Sequence, residues 1–113
     1  MSEQETLMDA GLKRNEAKLL SLFFEEDELF SRQIEHKMRM RQPEACTSLG
    51  LFVEKGWLKY KKIKSKGKGR PQQLYSLKES KKNIVGDLLA KMQEKMKTIE
   101  KTISDLEALK NES

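Results

Sequence analysis

Residues 57–77 read WLKYKKIKSKGKGRPQQLYSL, and the spacing within that stretch predicts two short strands joined by a long basic loop. Leu58 and Tyr60 alternate on the first strand and Tyr75 and Leu77 on the second, so each strand can turn one face to a core. Between them SKGKGRP holds two glycines that tolerate positive φ and a proline that fixes φ near the second strand's start. The stretch carries seven cations (Lys59, Lys61, Lys62, Lys64, Lys66, Lys68 and Arg70) and no acid. No local group neutralises that many charges, so an external polyanion is the economical partner. A solvated hairpin that binds nothing is the alternative, and the segment before it weighs against that.

That segment, residues 41–57, reads RQPEACTSLGLFVEKGW. Gln42 followed by Pro43 marks a helix start, because a proline at the first helical position loses no hydrogen bond. The helix is expected to run to about Lys55, with Gly56 as its C-terminal cap. At 100° per residue Ala45, Ser48, Leu49 and Phe52 share the side that packs. Glu44, Thr47 and Leu51 face away, with Pro43, Cys46 and Gly50 at the flanks. The first turn and a half of the outward side is small and polar, so it can approach another surface closely. Arg39 and Arg41 flank the positive helix N-terminus, where an anion is favoured. Cys46 reads as a small, half-buried packing residue, with no His or acid beside it to activate a thiol.

Farther upstream, residues 3–9 suit one or two helical turns with Leu7 and Met8 as apolar contacts. In LKRNEAKLLSLFFEE (12–26) the apolar positions Leu12, Ala17, Leu19, Leu20, Phe23 and Phe24 recur at helical spacing, which predicts a helix over 14–25. Its start is poorly capped, because Lys13 stands where a Ser or Thr would serve. The acidic run 25–28 reads as a solvated helix end, and Leu29 and Phe30 as a very short strand. Ser31 is the expected N-cap of a helix over 32–38 whose Ile34 and Met38 face inward. His36, the sole histidine, reads as an exposed helix residue.

Downstream, residues 80–110 contain no proline. Val85, Leu89, Met92, Met96, Ile99, Ile103 and Leu106 follow a 4-3-4-3-4-3 spacing, a heptad seam sustained for about three repeats. Leu88 and Leu109 widen it toward one flank. A helix of about 30 residues spans roughly 45 Å, more than a small domain covers. Association of two copies through Val85, Leu88, Leu89, Met92, Met96, Ile99, Ile103 and Leu106 is therefore expected. The alternative is a helix lying back on its own domain.

The 113 residues suit one domain, 1–78, followed by one long element, 79–113. The net charge of +5 is unevenly spread: residues 1–30 sum to −5, residues 31–78 to +10, and residues 79–113 to zero. A single cysteine excludes an intrachain disulfide, no apolar run reaches membrane-spanning length, and the N-terminus lacks the regions of a signal peptide. A cytoplasmic, nucleoid-associated location is the expectation. One histidine without ligand or triad partners, and GKG without a following Ser or Thr, leave no enzymatic constellation. No cofactor or metal is implied.

The element order, together with LKRNEAKLL at 12–20, RQPE at 41–44, EKGWL at 54–58 and GKGRPQQLYSL at 67–77, resembles the archaeal winged helix-turn-helix transcription regulators, including the TrmB-like and MarR-like groups. The resemblance spans roughly residues 12–77. It implies a mainly α fold with a small β-hairpin, the winged helix-turn-helix domain being followed by a long C-terminal dimerisation helix. It also implies a homodimer that binds double-stranded DNA. The helix from Gln42 would be the recognition helix, with Gln42, Glu44 and Thr47 at base edges and Arg39 and Arg41 beside them. Lys66, Lys68 and Arg70 would form the wing, with Lys62 and Lys64 leading into it. The sequence departs from the family pattern at Lys13, where Ser is usual, and at Gly50, which weakens a helix by about 1 kcal/mol relative to alanine. A winged-helix module that binds protein within a transcription assembly is the competing reading, since Leu51 and Val53 face outward. Nothing in the residues identifies a small-molecule effector.

Overall fold

The chain changes direction at two glycines, each closing a helix in the same way. The computed structural model describes residues 2–39, 42–63 and 72–112. Helix α1 (Glu3–Asp9) starts on Ser2, whose Oγ accepts from the Glu5 N–H at 3.1 Å. It ends at Gly11, φ 107°. There Gly11 N–H donates to the Met8 carbonyl and Leu12 N–H to the Leu7 carbonyl, the paired bonds of a Schellman motif. Leu7 is buried, but Met8, expected beside it, is exposed: a helix this short turns one apolar position inward and its neighbour away.

Helix α2 (Arg14–Glu25) buries Ala17, Leu19, Leu20 and Phe23. A lysine side chain accepts no hydrogen bond, so Lys13 cannot cap it; instead the Glu16 carboxylate reaches back to the Lys13 N–H at 2.9 Å. One half of a capping box thus holds a start that residue type alone marks as weak. Glu3 joins α1 to α2, accepting from the Ser21 hydroxyl at 2.6 Å and from Lys81 Nζ at 2.8 Å. The Lys81 ammonium, then the Ser21 hydroxyl, hold the Glu3 carboxyl below its ordinary pKa.

The strand β1 (Glu28–Phe30) runs directly into helix α3 (Ser31–Met38). Ser31 is the first helical residue and not the cap expected of it. The cap is Phe30, still extended at φ −74° and ψ 151°, and Gln33 Oε1 accepts its N–H at 2.8 Å. Because the strand continues to Phe30, the acceptor has to come from the third helical position. Ile34 and Met38 are buried, as their one-turn spacing requires. The helix stops at Arg39 in the left-handed region, φ 52° and ψ 36°.

Helix α4 (Gln42–Glu54) continues unbroken through Gly50 and buries Ala45, Ser48, Leu49 and Phe52, the side read from the sequence as packing. At Gly56, φ 80°, Gly56 N–H donates to the Val53 carbonyl at 3.0 Å and Trp57 N–H to the Phe52 carbonyl at 2.9 Å. The Phe52 and Trp57 rings lie 5.6 Å apart, supplying the apolar contact that accompanies this closure. The chain then enters β2 (Leu58–Ile63) and returns as β3 (Gln72–Leu77).

The sheet has three antiparallel strands in the order β1-β3-β2, so β1 extends the expected hairpin. Leu29 pairs with Tyr75, and Tyr75 with Tyr60. Phe23, Leu29, Ile34, Phe52 and Leu58 are fully buried, each worth roughly 1.5–3 kcal/mol relative to exposure. Tyr60, expected in that core, is 51% exposed. It points to the same face as Leu58, yet Leu58 alone of β2 is buried, and beyond it Tyr60 rests only against the Tyr75 ring at 5.6 Å. The result is a winged-helix architecture.

Helix α5 (Lys81–Asn111) is 31 residues long. The chain divides into two compact units, Met1–Lys81 and Lys82–Ser113. In the second, Ile84 and Leu88 are buried, so Leu88 is not among the exposed positions of the seam it was expected to border. Val85, Leu89, Met92, Met96, Ile99, Ile103 and Leu106 are all exposed.

Three substitutions separate backbone effects in this unit. Gly56→Ala should destabilise by about 1–2 kcal/mol, because its φ suits only glycine well. Gly50→Ala should stabilise by about 0.5–1 kcal/mol, since the added methyl meets nothing within 4 Å. Arg39→Gly should relieve about 1 kcal/mol of left-handed strain. Urea unfolding monitored by the buried Trp57 reads all three, and equal losses for both glycines would contradict the assignment.

Candidate nucleic-acid interface

The α3–α4 pair and the β2–β3 ribbon place three groups of candidate residues. The first is the turn. Arg39 is exposed at its start, where the left-handed backbone redirects the chain into α4. Arg41 lies outside the described residues.

The second group is the outward side of α4. Glu44 and Thr47 are exposed, while Leu51 and Val53 are half-buried and offer less apolar surface than their outward placement suggested. Gln42 is the first residue of the helix, and its side chain lies outside the described set. Cys46 is exposed and not the half-buried packing residue expected. Burial pushes the Tyr75 phenol above its ordinary pKa, and Cys46 and then Tyr60 add to the shift. The Tyr75 hydroxyl donates to Gln73 Oε1 at 2.7 Å, so the phenol is neutral and hydrogen-bonded.

The third group lies on the ribbon. Lys59, Lys61 and Lys62 are exposed on β2, and none makes an ion pair among the described residues. Lys64, Lys66, Lys68 and Arg70 lie outside the described residues, and the sequence from 64 to 71 contains no acid. Elsewhere the cations Lys37 and Lys81 are paired, with Glu26 and Glu3. Lys55 stacks over the Trp57 ring at 5.0 Å, at the corner between α4 and β2.

Tyr60 and Lys62 share a strand face with Leu58 and Tyr75, and α4 packs against β2. The two elements are therefore neighbours within the first unit. This juxtaposition adds Tyr60, with Cys46, to the residues named from sequence. An aromatic ring among unpaired lysines is a feature of surfaces that meet nucleic acid. The signal was present as Tyr60 between Lys59 and Lys61, but strand alternation alone assigned it to the core.

Among the described residues no group of His, Cys, Asp and Glu is arranged to hold a metal ion, and no helix is long and apolar enough to cross a membrane. No protein-family model matches the sequence, and no curated protein matches it. Solved structures do share its fold. One, described as a possible transcriptional regulator from Methanosarcina mazei Go1, superposes with a TM-score of 0.68 at 13% identity, over 85% of this chain and 80% of that one. Another, a transcriptional regulator homologue from Pyrococcus horikoshii OT3, gives 0.56 at 10% identity, over 84% of this chain and 97% of that one. At such identities the likeness establishes the architecture: a winged-helix domain followed by a long helix, shared with two archaeal proteins.

Proposed function

We propose that this protein is a sequence-specific, double-stranded DNA-binding transcription regulator that acts as a homodimer and carries no enzymatic activity. The observation that supports it best is the pairing of an exposed polar side of α4 with lysines on β2 that have no acid partner among the described residues. Winged-helix structures of archaeal regulators share the architecture, which agrees with this reading. Residues 1–78 would form the DNA-binding domain and residues 79–113 the dimerisation helix. A cytoplasmic, nucleoid-associated location follows from that role.

In this reading α4 enters the major groove. Gln42 suits adenine, Glu44 accepts from cytosine N4, and Thr47 bonds to either kind of edge. Arg39 and Arg41 meet phosphates beside the helix N-terminus, where the dipole favours anions. Lys62, Lys64, Lys66 and Lys68 follow the backbone, and Arg70 reaches the flanking minor groove, where an A·T tract deepens the negative potential. Phosphate contacts set register and affinity; base contacts set sequence.

Two copies related by a two-fold axis read an inverted repeat, with recognition helices about 34–36 Å or a multiple of it apart. The seam that joins them is Val85, Leu89, Met92, Met96, Ile99, Ile103 and Leu106, all between 39% and 59% exposed in the single chain. Leaving seven such side chains in water is costly, and a second copy covers them.

A protein-binding role for the same surface is the second reading, favoured by the exposed Tyr60 ring and the half-buried Leu51 and Val53. Salt separates the two. DNA binding should weaken by about 0.9 log units per log unit of salt for each phosphate neutralised, whereas an apolar contact holds.

In gel-shift titrations Arg70→Ala should weaken every sequence alike and lower the salt slope by about one, while Gln42→Ala should change which sequence binds best, by roughly 1–3 kcal/mol of discrimination. Silence of both would remove the groove assignment. Ile99→Glu should halve the sedimenting mass and weaken DNA binding while leaving Trp57 emission unchanged; an unaltered mass would take the seam out of the dimer.

A further inference from the structure

We infer that the two α5 helices pair antiparallel, the basic half of each lying along the acidic half of the other. This rests on the homodimer proposed above and settles what that reading leaves open, the direction of pairing.

Charge distribution along the helix carries the argument. Residues 82–97 hold four lysines against two acids, a net of +2. Residues 98–113 hold two lysines against four acids, a net of −2. Of these charges Lys95, Glu100 and Glu107 flank the seam, and most of the others lie farther round the helix, where they act over a longer range. Parallel pairing sets basic against basic and acidic against acidic along the whole length. Antiparallel pairing sets opposite signs together, and opposes the two helix dipoles as well.

The seam's layers agree. Its spacing puts Leu89, Met96 and Ile103 at one kind of core position and Val85, Met92, Ile99 and Leu106 at the other. Antiparallel overlap from Leu89 to Leu106 sets Leu89 against Leu106 of the partner subunit, Met92 against the partner's Ile103, and Met96 against the partner's Ile99, with Val85 level with the partner's Lys110 at each end. Each methionine thereby fills beside a branched residue. The next seam position after Leu106 is Lys110, and a parallel pair would put the two Lys110 ammoniums across from each other. Parallel pairing does offer one attractive rim contact, Lys95 with the partner's Glu100. Exposed pairs of that kind contribute little, and one such contact per side does not offset the charge of the halves.

The two copies of the first unit are then tethered at opposite ends of the paired segment. The midpoint of the pair falls between Met96 and Ile99, so Leu89 in one copy lies about 25 Å along the rod from Leu89 in the other, at 1.5 Å per residue.

Disulfide trapping in the full-length chain tests this. In a Cys46→Ser background, Leu89→Cys and Leu106→Cys are made separately; both positions are exposed, and Trp57 emission checks the fold. On mild oxidation of an equimolar mixture, the mixed 89–106 disulfide should exceed either homodimer at least fivefold, and Leu89→Cys alone should cross-link slowly. Rapid 89–89 cross-linking, or an excess of homodimers in the mixture, would overturn the inference while leaving the dimer intact. Sedimentation of the uncross-linked chain at the same concentration separates the two failures: a monomer would remove the dimer itself. A dimer that cross-links in no arm would remove the seam from the interface, and the antiparallel pairing with it.

Discussion

Phe52 against Trp57 is the contact on which the rest of the first unit depends. Gly56 reverses the chain, two backbone hydrogen bonds close α4, and the ring pair holds the closure shut. Because Trp57 leads directly into β2, the same contact sets the direction in which the ribbon leaves the helix. The α4 surface and the β2 lysines belong to one site only while that corner holds. Its parts are local in sequence, which lets the corner form early and orient the longer-range pairing of β2 with β3.

Electrostatics adds a second constraint. The first thirty residues are acidic and the next forty-eight strongly basic, so one chain carries opposed charge on successive elements. Glu26 and Glu3 pair with Lys37 and Lys81, cations away from the ribbon. The lysines of β2 keep no such partner among the described residues. Acids in α1 and α2 also disfavour a polyanion approaching from their side.

Much of this was legible in the residues. The Pro43 start and the Gly56 end of α4 were readable because each reflects a backbone requirement that few residue types meet. The packed side of α4 followed from the helical period, and the apolar stripe left exposed along α5 is visible in its spacing. What escaped has a common physical origin. Alternation in β2 gives the face of Tyr60 but not how far along the strand the helices provide cover, so an exposed ring read as core. Cys46 was misplaced for the same reason: a flank position on a helix is buried or exposed according to what packs beside it, which the helical period does not give. Ser31 drew the cap assignment because its residue type is favoured there, whereas the strand's actual end put Phe30 in place and left Gln33 to supply the acceptor.

The burial gradient along β2 has a mechanical consequence. Leu58 at the root of β2 is clamped in the core, and Tyr75 of β3 is buried and paired with Leu29 of β1; outward of these, Lys62 and Ile63 are held to Gln72 and Gln73 by the backbone ladder alone. The described part of the ribbon is thus a cantilever with its root in the core. A load on its outer residues is carried by the ladder first, and reaches the hydrophobic core that sets α4 only through Leu58 and Tyr75.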